Sequence, residues 1–140
     1  MKPAHRSRVR LFLDANVLIS AAWKGDSKVR KIWRIPNVEL VTSDYVLSEC
    51  VRNLRSEEQQ VRLIELLLDV RVLEFPDSPA IEKSPPLPDK DQPVLAAAFL
   101  ARAAFLVTGD RKHFGAWFGK SILGLKIEPP ARFPEALDEG

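Results

Sequence analysis

Residues 91–110 read DQPVLAAAFLARAAFLVTGD, and this stretch decides the fold. Pro93 is tolerated only in the first turn of a helix, so a helix begins near Asp91 and runs to about Arg102. Its sequence is apolar nearly all round, which marks a helix buried at the centre of a domain. Phe105–Thr108 is then a short apolar run of strand character, closed by Gly109-Asp110. A buried helix leading directly into a buried strand is half of a βαβ crossover, and crossovers build parallel sheets.

Working outward, the same grammar recurs. Val9–Leu13 is a continuous apolar strand, and Val17–Trp23 begins a helix that Gly25-Asp26 breaks and Ser27–Trp33 resumes. Pro36-Asn37 is a turn. Glu39–Thr42 is a second strand, and Ser43 or Asp44 caps a helix running to about Arg55. In that helix Leu47, Cys50, Val51 and Leu54 form one apolar stripe, with Glu49 opposite it. Ser56 and Gln59 form a capping box for a third helix ending near Leu68. Val70–Leu73 is a third strand. Phe75–Lys90 carries Pro76, Pro79, Pro85, Pro86 and Pro88 and must be a loop. Lys112–Phe118 is helical and Leu125–Glu128 is a fifth, shorter strand.

This alternation predicts a three-layer α/β/α fold around a mostly parallel sheet of four to five strands. The chain of 140 residues suits a single domain, 1–140, with a basic tail over 1–8 and a C-terminal tail over 129–140 that holds one helical turn near Glu135.

Composition narrows the function. Hydrophobic residues make up 46% of the chain, which excludes a disordered protein. Cys50 is the only cysteine, so neither an intrachain disulfide nor a cysteine zinc cluster can form, in keeping with a reducing cytoplasm. The basic-then-apolar N-terminus mimics a signal peptide, but Asp14 and Asn16 interrupt the apolar run. No run of about twenty apolar residues is present to span a membrane. Net charge is only +2, yet cations cluster at Lys2, His5, Arg6, Arg8 and Arg10, and again at Lys24, Lys28, Arg30, Lys31 and Arg34. Such clusters suit a phosphate-binding face or simply a solvated one.

Four acids fall at element boundaries: Asp14, Glu49, Asp91 and Asp110. Asp14 and Asp110 follow buried strands, at the edge where open α/β sheets bind ligands. Each also has a plain structural reading. Asp14 could only cap the next helix, Glu49 could be solvated, Asp91 is favoured by the helix dipole, and Asp110 could be an ordinary turn residue. Asp89 competes with Asp91. Converging in one cleft, such carboxylates call for a hard divalent cation, Mg²⁺ or Mn²⁺. One or two such ions would polarise a phosphate oxygen and acidify an attacking water, the chemistry of phosphodiester hydrolysis. Asn16 and Thr108 are accessory polar groups. Arg111, Lys112 and His113, with Lys24, Lys28 and Arg30, are candidate contacts to a substrate phosphate, His113 being read as a surface residue. There is no G-x-S-x-G, P-loop or G-x-G-x-x-G to suggest a rival chemistry.

FLDANVLISA, TSDYVLSECVRNL and DQPVLAAAFLARAAFLVTGDRKHF together resemble the PIN-domain nucleases, including the toxin members of VapBC-type toxin–antitoxin pairs. The resemblance runs from about Val9 to Glu128. It implies a Mg²⁺- or Mn²⁺-dependent ribonuclease acting on single-stranded RNA, with Asp14, Glu49, Asp91 and Asp110 as metal ligands. It further implies a homodimer and a small antitoxin partner. One departure stands out: many toxin members have an acid three positions after the Asp110 position, and here that residue is His113. Two other classes compete. A haloacid-dehalogenase-like phosphatase would need a general acid where Asn16 stands. A catalytically degenerate fold would bind RNA or protein without cleaving.

Overall fold

The computed structural model describes residues 8–75 and 86–139. Val9–Leu13 forms β1, and its last three residues are wholly buried, as expected of a strand covered on both faces. There follow α1 (Ala15–Trp23), a 3₁₀ segment (Lys28–Arg34), β2 (Val38–Ser43), α2 (Asp44–Asn53), α3 (Glu57–Leu67) and β3 (Val70–Leu73). The second half contains α4 (Gln92–Leu100), β4 (Phe105–Val107), α5 (Arg111–Phe114), β5 (Ser121–Ile122), β6 (Leu125–Glu128) and α6 (Glu135–Asp138).

The sheet order is β3-β2-β1-β4-β6-β5, parallel except for the β5–β6 pair. From β1 the chain first builds to one side, through β2 and β3, and then crosses back to place β4 on the other side. The strand order therefore reverses between β1 and β4. Right-handed crossovers put the two directions of travel on opposite faces, giving three layers. A crevice opens at such a reversal, outside the carboxyl ends of the strands. Asp14 ends β1 there, and Thr108–Asp110 follows β4 there.

Helix α2 leaves the carboxyl end of β2 and touches both α1 and α4. It therefore closes one wall of the crevice. Cys50 Sγ lies 3.8 Å from the Ala15 carbonyl oxygen, which seats α2 on the first turn of α1. Arg10 supports the opposite end of the sheet, donating to Glu39 at 2.5 Å and to the Ala101 carbonyl at 2.7 Å.

Several expectations change. The sheet has six strands rather than four or five, because Ser121–Ile122 folds back on β6 through Leu123-Gly124. Both turn residues have positive φ, 53° and 86°, the conformation that lets a two-residue hairpin follow the twist of its strands. Leucine is an unusual occupant of that position, so composition gave no turn signal. The apolar stripe of α2 is also rotated. Val46, Cys50 and Leu54 are buried, Leu47 is only partly so, and Val51 is exposed. At about 100° per residue, Glu49 then lies roughly 60° from Val46, on the edge of the buried face and not opposite it.

The segment after Gly25-Asp26 resumes as 3₁₀ and not α-helix. Of the proline loop, residues 76–85 lie outside the described residues, as do Lys2, His5 and Arg6 of the basic tail. The C-terminal segment carries the expected helical turn, α6, and it packs: Phe133 is fully buried, edge-on to Phe105 with ring centroids 5.3 Å apart.

Candidate metal centre

Asp14 is the N-cap of α1 and is 6% exposed. Its Oδ1 accepts from the Ala15 amide at 2.7 Å. Its Oδ2 accepts from Thr108 Oγ1 at 2.9 Å and from Asn16 Nδ2 at 3.2 Å. Burial pushes the Asp14 carboxyl up to about 6 from 3.8. The Thr108 and Ala15 hydrogen bonds oppose that rise, while the charges of Glu49 and Asp91 add to it. Oδ1 retains a lone pair that these bonds do not use, whereas the two bonds to Oδ2 occupy both of its sites.

Thr108 is the hub of the crevice floor. It is fully buried, donates to Asp14, and through the same Oγ1 accepts from Asn16 Nδ2 and the Asp110 amide, both at 3.2 Å. Asn16 spans the strand ends: its Oδ1 accepts from the Gly109 amide at 2.6 Å while its Nδ2 serves Asp14 and Thr108. The Asn16 amide oxygen is thus turned to the backbone and not to a ligand. A Cβ added at Gly109 would stand 3.3 Å from that oxygen, so the glycine permits the close approach of Asn16.

Asp91 sits in the N-cap position of α4 without capping it, and its side chain is nine-tenths buried. Its Oδ2 is buried and receives no directed hydrogen bond. His113 Nδ1 lies only 2.9 Å from that oxygen, but the same nitrogen is 2.8 Å from Asp110 Oδ2 and hydrogen bonds there. One N–H cannot serve both acceptors in line. Burial raises the Asp91 carboxyl above its ordinary range; His113 opposes the rise, and Asp110 and Glu49 reinforce it. Asp110 caps α5, its Oδ1 accepting from the His113 amide at 3.1 Å.

Glu49 is half-buried on α2, and its charge acts on Asp14, Asp91 and Tyr45. Burial, then Glu49 and Asp91, raise the Tyr45 hydroxyl, which donates to the Lys90 carbonyl at 2.9 Å and ties α2 to the approach of α4. Cys50, beside Glu49, is buried and pushed up to about 12, mainly by desolvation, which leaves it inert as a nucleophile.

All four carboxylates therefore share one field at the β1/β4 reversal. Among the described residues the tightest group of possible ligand atoms is Asp91, Asp110 and His113, all within 4.8 Å of one another. Asp89 is exposed and outside it. An orphaned, dry carboxylate oxygen beside two further donors is a fitting place for a cation, since burying such charge unpaired is costly.

His113 corrects an expectation. Its side chain is 18% exposed and wedged between two carboxylates, so it is no surface residue. The available signal was its spacing, three residues after Asp110 on a helical turn. Arg111 and Lys112 are exposed beside it. Lys24 and Lys28 are exposed too, but they line a separate cleft of about 460 Å³ with Ile19, Ser20 and Trp23. That cleft lies at the far end of α1 from Asp14. Arg30 is half-buried and donates to the Ala21 carbonyl at 2.9 Å, closing the turn after α1.

Residues 10–112 match the PIN domain family. No functionally curated protein matches the chain. Among solved structures, the chain is similar to VapBC2 from Rickettsia felis, solved bound to a DNA fragment from its promoter. The identity is 20%, with a TM-score of 0.64, over 86% of this chain and 98% of that one. It is also similar to VapBC-1 from nontypeable Haemophilus influenzae (20% identity, TM-score 0.60, 88% and 99% covered). A third similar structure is DNA-bound VapBC from Salmonella typhimurium (20% identity, TM-score 0.61, 87% and 98% covered).

Proposed function

The chain belongs to the PIN-domain family, and from that premise we propose that it is a divalent-metal-dependent endoribonuclease that cleaves single-stranded RNA. The observation that carries the proposal is the buried, unpartnered Oδ2 of Asp91 within the field of Asp14, Glu49 and Asp110. Asp91, Asp110 and Asp14 would hold Mg²⁺ or Mn²⁺, with Glu49 completing the acidic wall. A bound ion supplies Lewis-acid polarisation of the scissile phosphate and a more acidic water.

The chain's own residues do the rest. Thr108 and Asn16 fix the Asp14 carboxylate so that it does not swing when substrate enters. The Gly109 amide and Asn16 lock the β4 exit to the β1 exit, fixing the backbone that leads into Asp110. Arg111 and Lys112, exposed at the rim, attract the phosphodiester backbone towards a cleft whose own charge is negative. Asn16 cannot act as the general acid a dehalogenase-like phosphatase needs, since an amide does not titrate and its oxygen is already bonded.

We further propose the setting of a toxin paired with a small antitoxin, supported by the similarity to VapBC structures. An antitoxin arginine would match these carboxylates bidentately. As in the resemblance, the working form would be a homodimer. No helix among the described residues is long and apolar enough to cross a membrane.

The test is cleavage of a single-stranded RNA by purified protein with Mn²⁺ or Mg²⁺. Cleavage is expected to stop with chelator and in Asp14→Asn and Asp110→Asn. Wild-type rates in both variants would exclude the site, and RNA binding without cleavage would favour the degenerate reading.

A further inference from the structure

His113 stands where no carboxylate is, yet its Nδ1 is 2.9 Å from Asp91 Oδ2 and 2.8 Å from Asp110 Oδ2. Two carboxylates reach one ring nitrogen from different elements, α4 and α5. Neutral imidazole offers that nitrogen either a proton to give or a lone pair to donate, and the hydrogen bond to Asp110 uses only the first option. It leaves Asp91 Oδ2 buried and unsatisfied. A cation satisfies both carboxylates at once, which a single N–H cannot do.

The spacing supports this. Adjacent ligands of an octahedral ion with bonds of about 2.1 Å stand about 3 Å apart. The observed separations of Nδ1 from both oxygens fall at that edge length. The ring is held in place by its own helix: Asp110 caps α5 through the His113 amide, so backbone and side chain of His113 are both fixed relative to Asp110. Its side chain is only 18% exposed, so the ring is packed between the two carboxylates and not free in water.

We propose that His113 is a metal ligand, its Nδ1 joining oxygens of Asp91 and Asp110 in a mixed nitrogen–oxygen site that selects Mn²⁺ over Mg²⁺. This rests on the metal-nuclease reading above and specifies the ion. Oxygen-only sets suit Mg²⁺, whereas imidazole adds a softer donor that favours transition ions. Neutral imidazole binds through Nδ1 as the Nε2–H tautomer: the Nδ1 proton leaves to solvent, Nε2 takes one up, and the freed Nδ1 lone pair turns to the cation.

The test is pulsed electron paramagnetic resonance of Mn²⁺ bound to the whole protein, paired with calorimetric titration of Mn²⁺ and Mg²⁺. Wild type is expected to show a ¹⁴N coupling of directly bound imidazole. His113→Asp is expected to bind Mn²⁺ without that coupling, and its preference for Mn²⁺ over Mg²⁺ is expected to narrow at least about tenfold. Mn²⁺ bound in wild type but not in Asp91→Asn, with no ¹⁴N coupling, would overturn the role of His113 and leave the nuclease site standing. Absence of any Mn²⁺ binding would overturn both. The wild-type spectrum decides the matter even if His113→Asp folds poorly.

Discussion

Thr108 Oγ1 donates to Asp14 Oδ2 at 2.9 Å, joining the ends of two adjacent strands across 94 residues of sequence. Both groups are buried. The bond holds the Asp14 carboxyl lower than its burial alone would set it.

Thr108→Val keeps the shape of the side chain and removes the hydroxyl. It strips a donor from Asp14 and an acceptor from Asn16 and the Asp110 amide. Such losses cost about 1–3 kcal/mol when the partners stay buried. Urea unfolding at pH 7 is expected to show that loss, with Thr108→Ser recovering most of it. Equal stability of Thr108→Val and wild type would mean the hub is idle.

Asp14 sets a pH dependence of known sign. Its folded value of about 6 lies above the ordinary 3.8, so between those values the folded chain binds more protons than the unfolded one. This group's contribution to stability is therefore full below roughly pH 4 and lost as pH rises through roughly pH 6. The dry ionised carboxylate then costs on the order of 2–3 kcal/mol. In chelator, Asp14→Asn is expected to be more stable than wild type at pH 7.5 and no more stable below pH 4. A gain that does not vary with pH would point to packing instead of charge.

Divalent ions should reverse that trend. Metal binding needs deprotonated carboxylates, so the rise in melting temperature with Mn²⁺ is expected to grow from pH 5 to pH 7.5. Asp91→Asn should abolish most of the rise. A shift of the same size in that variant would place the ion elsewhere.

Lys24 and Lys28 line a cleft of their own, and Arg30 is committed to the Ala21 carbonyl. Lys24→Glu with Lys28→Glu, leaving Arg30 intact, is the clean charge reversal. If these lysines contact RNA, the slope of log affinity against log salt should flatten by about 1.4 or more, at about 0.7 per phosphate on a single strand. An unchanged slope would mark them as a solvated face.

Phe133→Ala tests whether the C-terminal segment is part of the core. The ring is fully buried against Phe105, and such truncations cost about 3–5 kcal/mol. A loss under about 1 kcal/mol in urea unfolding would show that the segment is an appendage.

The parallel frame was legible because buried strands and helices write continuous apolar runs, as in Leu11-Phe12-Leu13 and in Val94–Ala98. Asp14, Asp91 and Asp110 were legible because each follows or opens such a run. Glu49 was misplaced on its helix because Val51 is apolar yet exposed, which pulled the inferred stripe round from Val46. The β5 strand escaped because its turn puts leucine, and not asparagine or aspartate, at positive φ. His113 reads as a surface residue because Arg111 and Lys112 precede it, and those two are indeed exposed. Only the turn of α5 brings it inward, and no periodic pattern spans four residues.

A crystal soaked in Mn²⁺ and measured at the manganese absorption edge addresses the convergence of these acids most directly. An anomalous peak is expected between Asp91, Asp110 and His113, on the side facing Asp14. No peak there at millimolar Mn²⁺, or a peak bound only to other residues, would contradict a metal-dependent nuclease at this crevice.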